Sequence, residues 1–488
     1  MTRFVSLTFD GRCGDARLLL VPILALSAEL PSQAQCPVPA WLPGVLGTDG
    51  AVLALTTWDP DGSGPSAPQL VAGGSFTFAG EVNVNRIARW DQSVWQPFGT
   101  GMNGVVLALT TWDTDGTGPS ADQIVAGGFF TTADGITVNN IARWDGSAWQ
   151  PFGSGMISAV RGLTTWDPDG SGPSATQLVA GGSFVVALAG LLQVNHIARW
   201  NGSAWQPFGA GMNGEVDAVT TWDADGAGPL IPEVVAGGYF TTAGGAPANR
   251  IAGWDGSAWH AFGTGMGAGA STPVLALTTW DRDGVGPANP ELVAGGFFTT
   301  AGGAPANRIA RWDGSAWQPF GTGMGGANPV VFSLTTWDPD GAGPLIPELI
   351  AAGRFLTADG VTVNNIARYD GSLWHPFGSG TDDDVHALTN WDPDGAGSAG
   401  VHLAAGGVFT NAGEVMANHI ALYPPAGVVP GDGNGDCQVG QADLVTFVGC
   451  MQGPVVVHLS GCAPLDLDVD SDVDIADFAQ FQALYMGA

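Results

Sequence analysis

Apolar positions along this chain come in short runs, four to a unit, and the unit recurs seven times. In the first unit the runs are VLALTTW, QLVAGGSFT, NRIARWD and VWQPFG, separated by DPDGSGP, an AGEVN connection, a DQS turn and GTGMNG. Alternating or apolar runs of this length, bounded by Gly, Asp, Asn and Pro, predict strands, and no stretch within the units sustains a helical period. Aligned on the tryptophan that ends the first run, Trp58, Trp112, Trp166, Trp222, Trp280, Trp337 and Trp391 fall in one column, spaced 54 to 58 residues apart.

Such a period means a solenoid, an array or a propeller. Four antiparallel strands per unit make up a propeller blade. The terminal units of a solenoid would carry caps, and these do not. The seventh unit stops after its third run, HIALYPP, and the missing fourth matches AWLPG, Ala40 to Gly44, ahead of the first unit. A leading strand that completes the last blade would close a ring and remove both sheet edges. The expected fold is therefore all-β: a seven-bladed β-propeller over residues 36–425, with a small helical domain at 426–488.

The diglycines, as at Gly73 and Gly74 or Gly127 and Gly128, and the paired tryptophans, as at Trp90 and Trp95, make residues 40 to 423 resemble the kelch-like propellers. The unit is longer than a typical kelch repeat, and its Trp-Asp-x-Asp-Gly hairpin is not part of that signature. The glycines are expected to permit close sheet packing or positive φ, and the tryptophans to fill the space between blades rather than to stack on sugars.

The Asp-x-Asp-Gly hairpin joins the first and second strands, and the turns holding Asp91, Asp145, Asp255, Asp313 and Asp370 emerge on the same face, so one rim is acidic. A calcium ion wants six to eight oxygens. Ser63, Thr117, Ser171, Ala227, Val285, Ala342 and Ala396 stand where a third carboxylate would be needed, so Asp and Gly are read as turn formers. The opposite face carries connections rich in Gly, Thr, Asn and Ala, with few charges. There the column Leu53, Leu107, Arg161, Asp217, Leu275, Phe332, His386 turns polar in places, and Glu215 and Asp382, Asp383 and Asp384 precede two first strands. These are read as a structural Arg161–Asp217 pair plus a solvated acidic loop, against a reading as ligand contacts or glycosidase acids. His196, His260, His375 and His419 are read as surface substitutions.

Charge narrows the partners. With 45 acidic and 14 basic residues the net charge is -31, which opposes nucleic acid and anionic membranes. Residues 1–35, with early arginines and the run LLLVPILAL, read as a secretory signal peptide, so the mature protein is expected outside the cell and not in the membrane. Of the cysteines that remain, Cys36, Cys437, Cys450 and Cys462 form an even set whose pairing stays open, with a Cys450–Cys462 bridge one possibility.

After Pro425 the pattern changes. Asp432, Asn434, Asp436 and Asp443 fall at positions 1, 3, 5 and 12 of an EF-hand-like loop, and Asp466, Asp468, Asp470 and Asp477 repeat the set with Asp474 at position 9. Each loop leads into an apolar segment suited to a short helix. The pair resembles a type I dockerin, which implies two calcium ions and docking to a cohesin. Cys437 and Ser471 replace the usual glycine, and the Ser/Thr pair that contacts cohesin is absent at Gln441, Ala442, Ile475 and Ala476. The function expected is a secreted binding or scaffold module for a glycan or protein, attached through that domain to a cohesin-like protein or cell surface. The alternative is a polysaccharide-degrading glycoside hydrolase or lyase, although no nucleophile motif or zinc cluster appears.

Overall fold

A computed structural model describes residues 41–42 and 47–425 apart from 63–65, 114–121, 171–174, 188–191, 227–229, 268–271, 283–288, 339–345, 394 and 396–400. The signal peptide, all the cysteines and the calcium loops expected from the sequence lie outside the described residues. In the first unit Val52–Trp58, Gln69–Gly74, Ile87–Trp90 and Trp95–Pro97 form one antiparallel sheet in chain order. Six four-stranded sheets of this kind and a three-stranded one, Val385–Trp391, His402–Gly407 and Ile420–Tyr423, are seen among the described residues. The described residues form an all-β, propeller-like array of repeated sheets.

The connection between second and third strands is more ordered than a loop. It holds a ribbon of two-residue strands, Phe78–Ala79 with Val82–Asn83 in the first unit, too short to leave a periodic signal. The incoming chain bridges to it at Thr48 and Ala79, Met102 and Ala133, Met156 and Ala187, and so on round the molecule. Ribbons and connectors occupy one face, and the acidic hairpins with the third-to-fourth turns occupy the other.

Each second strand is buried on both sides, which is why QLVAGG reads as a continuous apolar run rather than an alternation. The clasp between units is the column tryptophan. Trp58 Nε1 donates to the Asp122 carbonyl of the next unit at 2.7 Å, and Trp112, Trp166, Trp222, Trp280 and Trp337 do the same to Thr176, Pro232, Pro290, Pro347 and Val401. The series runs on from last unit to first, because Trp391 Nε1 donates to Pro68 O at 2.9 Å. Val52, Leu55 and Leu70 accordingly share one core cluster with Trp391, Ala404 and Leu422.

The leading segment lies where the seventh sheet lacks a fourth strand. Leu42 N–H donates to Leu422 O at 2.9 Å, and the Trp41 ring sits 5.2 Å from Tyr423 and 6.2 Å from Phe377. The diglycines act through space and not through φ. A Cβ on Gly73 would lie 2.5 Å from Val106 Cγ1 of the next unit, and one on Gly74 would lie 2.0 Å from Ala51 O.

Candidate functional site

On the hairpin face the acids serve their own turns. Asp59 Oδ1 accepts from Asp61 N and Asp61 Oδ2 from Ser66 N, both at 3.1 Å. In the third-to-fourth turns, Asp145 Oδ1 accepts from Ser147 N, Ser147 Oγ and Ala148 N, and Oδ2 from Gln150 Nε2. Partial burial opposes ionisation there, but those donors outweigh it and hold Asp145 at about 2. Among the described residues no group of three metal-ligating side chains forms. A cleft of about 530 Å³ between units 4 and 5 is walled by Trp222, Arg282, Glu291, Arg311 and Asp313. Glu291 engages Arg311 within it, at 2.7 Å from each carboxylate oxygen.

The histidines are not plain surface substitutions. His196 and His419 have φ of 71° and 76°, matching Arg86 in their column, and their Nδ1 atoms bond Gly182 O and Thr48 O. These half-buried corners fix the ribbon. His260 fills a gap: Gly253 stands where other units carry an arginine such as Arg89, and a Cβ there would meet His260 Nε2 at 2.6 Å. The imidazole instead pairs with Glu233 at 2.8 Å, and that hydrogen bond raises the His260 pKa despite burial. His375 pairs with Asp370 at 2.7 Å.

On the ribbon face the first strands line a channel of about 210 Å³, walled by Leu53, Leu107, Arg161, Leu275, Phe332 and His386 among others. Arg161 and Asp217 pair across neighbouring units as expected, at 3.6 Å. Glu215 shares the same Nε at 3.7 Å, and that Nε donates to Ser183 Oγ at 3.2 Å. Burial is the main reason the Asp217 carboxyl is pushed up to about 7; Arg161 opposes it and Glu215 adds to it. Further round, Phe332 and His386 stack with centroids 4.6 Å apart. The acidic run is less solvated than expected: Asp384 is buried against Arg354 of unit 6, and Asp382 caps the Thr410–Asn411 ribbon.

That cap is part of a repeated clasp. Asn103 Oδ1 accepts from Thr131 N and Thr132 N at 2.8 and 2.9 Å, and its Nδ2 donates to Thr131 Oγ1 at 2.8 Å. Asn213 does the same with Thr241, and Asp49 accepts throughout, its Oδ1 from Thr77 N and its Oδ2 from Thr77 Oγ1. In unit 3 both partners are apolar. Ile157 and Val185 occupy these positions, 54% and 39% exposed. Phe129, just past the unit 2 diglycine, is 67% exposed, and Tyr239 in the same column of unit 4 is 45% exposed. The other column tryptophans and their partners in the fourth strands are core, so they offer no stacking platform. Sequence reasoning missed the Ile157–Val185 departure because its meaning lies in a pairing across 28 residues; aligning both columns together would have shown it.

No family model matches the chain. It is 36% identical over 93 residues to Polarized growth protein L1 of a Phoma species, a span of 18% of this chain and 7% of that protein. Among solved structures it is similar to BBS1N in complex with ARL6DN, with a TM-score of 0.45 and 11% identity, covering 79% of this chain and 97% of that one. For Sqt1 of Saccharomyces cerevisiae the TM-score is 0.44, again at 11% identity, covering 79% and 98%. Likenesses this distant carry no function. The architecture rests on the sheet order and packing above. Among the described residues no helix is long and apolar enough to cross a membrane.

Proposed function

We propose that the chain is a closed seven-bladed propeller that works as a protein-binding module, docking its partner on the ribbon face over units 2 to 4. One observation carries this reading: where units 1, 2, 4 and 7 join connector to ribbon by a polar clasp, unit 3 leaves Ile157 and Val185 open to solvent, with Phe129 of unit 2 and Tyr239 of unit 4 also exposed in the neighbouring units. Apolar side chains exposed within a polar surface mark an interaction site.

The test grafts the chain's own clasp into unit 3. In the double variant Ile157→Asn, Val185→Thr the side chains reproduce Asn103 and Thr131, so the thermal midpoint is expected to hold or rise. A protein retained by the wild-type chain is expected to be retained at least about tenfold less by the variant, since apolar anchors dominate interfaces. Equal retention by both would overturn the reading.

Export of the mature chain and calcium-dependent attachment through residues 426–488 belong to the same proposal, supported by the spacing of Asp432, Asn434, Asp436, Asp443 and of Asp466, Asp468, Asp470, Asp474, Asp477. Calorimetry of the full chain is expected to find two calcium ions, with one lost in Asp432→Asn and the other in Asp466→Asn. A flat titration would remove the calcium module and leave the propeller untouched.

A further inference from the structure

At the channel mouth, beside the apolar patch, the Arg161 corner is out of balance. Two carboxylates, Glu215 and Asp217, lie within 3.7 Å of one guanidinium nitrogen, so the cluster carries one excess negative charge when both are ionised. Asp217 is only 8% exposed in its side chain, and its Oδ2 has no hydrogen-bond partner. A buried carboxylate oxygen left unpaired is costly, so added positive charge at this corner is favoured. Its column is the one in which Leu53, Leu107 and Leu275 line the channel in other units, while in unit 4 the lining is made by Ala218 and Val219. Tyr239, across from it, offers an exposed ring.

We propose that this corner receives a basic side chain, a guanidinium or ammonium, presented by the partner protein that docks on the apolar patch. It rests on the docking reading above, and deepens it by naming the partner's chemistry: a cation next to an apolar anchor. The overall charge of -31 favours the approach of such a partner. The incoming cation pairs with the half-exposed Glu215, neutralises the excess charge of the Glu215–Asp217 cluster, and lies against the Tyr239 ring, an arrangement that suits a cation.

The groups facing Asp217 are Arg161 from the unit 3 first strand, Glu215 from its own connector, and Tyr239 with Arg250 behind it. The Asp217 carboxyl is held at about 7, chiefly by burial. Its ionised form attracts the cation, so affinity rises with pH through that value, by about tenfold between pH 6 and pH 8.

The probe is N-acetyl-arginine methylamide, titrated calorimetrically into the full chain, with the citrulline analogue as its neutral isostere. The arginine probe is expected to bind at least about tenfold tighter than citrulline, and to lose that margin in Asp217→Asn, which keeps the shape, and most of it in Glu215→Gln, whose side chain is half-exposed. Equal affinity for the two probes, or an arginine affinity unchanged in both variants, would overturn the proposal. These outcomes are separate from the Ile157/Val185 graft: loss of partner retention in the graft with no arginine preference leaves docking standing and removes the cation pocket.

Discussion

Replacing Trp41 with alanine is expected to lower the thermal midpoint of the whole array and to expose a sheet edge. Trp41 is 3% exposed and packs in one cluster with Trp337, Phe377 and Tyr423. Its Cδ1 lies 3.0 Å from where a Cβ on Gly413 would stand, so the ring packs closely over that glycine. Truncating a buried tryptophan costs about 3–5 kcal/mol. The effect goes beyond a core truncation because of what the segment covers. Interior fourth strands such as Trp205–Pro207 are tied to their sheet in register, and among the described residues the last sheet meets its partner segment at the Leu42-to-Leu422 hydrogen bond and the Trp41 ring against Tyr423. Losing Trp41 frees the edge Ile420–Tyr423, and free edges pair between molecules. Calorimetry and size-exclusion chromatography check both parts. Trp205→Ala should match the thermal loss without self-association; if Trp41→Ala destabilises no more than Leu42→Ala, the segment does not close the array.

The second large effect separates the two glycines of one pair. Gly128→Ala is expected to destabilise by about 3 kcal/mol or more, and Gly127→Ala by about 1 kcal/mol. Neither residue has positive φ, so the argument is steric. A Cβ on Gly128 would stand 2.1 Å from Val105 O, backbone of the paired strand that cannot retreat without breaking the register. A Cβ on Gly127 would stand 2.6 Å from Val160 Cγ1, a side-chain atom of the next unit and not the backbone of a paired strand. The chain contains its own control: the first position is Ala352 in unit 6, fully buried, while the second is glycine in every unit, as at Gly353. Denaturant unfolding of the two variants ranks them, and an equal loss from both would refute the backbone argument.

Much of the architecture was legible because it is local and repeated. The period, the four strands per unit and the offset of the last strand follow from runs of apolar residues and from turn chemistry that each residue carries with it. The caps of the turns are local too, since Asp145 bonds residues two and three places on. The ribbons escaped notice for the opposite reason: two residues held by bridges to a distant connector have no pattern of their own.

By itself, then, the sequence determined a repeating all-β unit, its strand order and the acid-rich turns, since these depend on contacts within a few residues and recur often enough to be read. The tertiary structure decided three things. It set each column tryptophan on a carbonyl of the next unit, 64 residues away for Trp58. It brought Ile157 against a ribbon that offers Val185 in place of threonine, turning two ordinary apolar residues into an exposed patch. It also buried Asp217 beside Arg161, which moved an ordinary carboxyl to about 7. Burial and partnership are properties of the packed neighbour, and no residue carries its neighbour's identity in its own position along the chain.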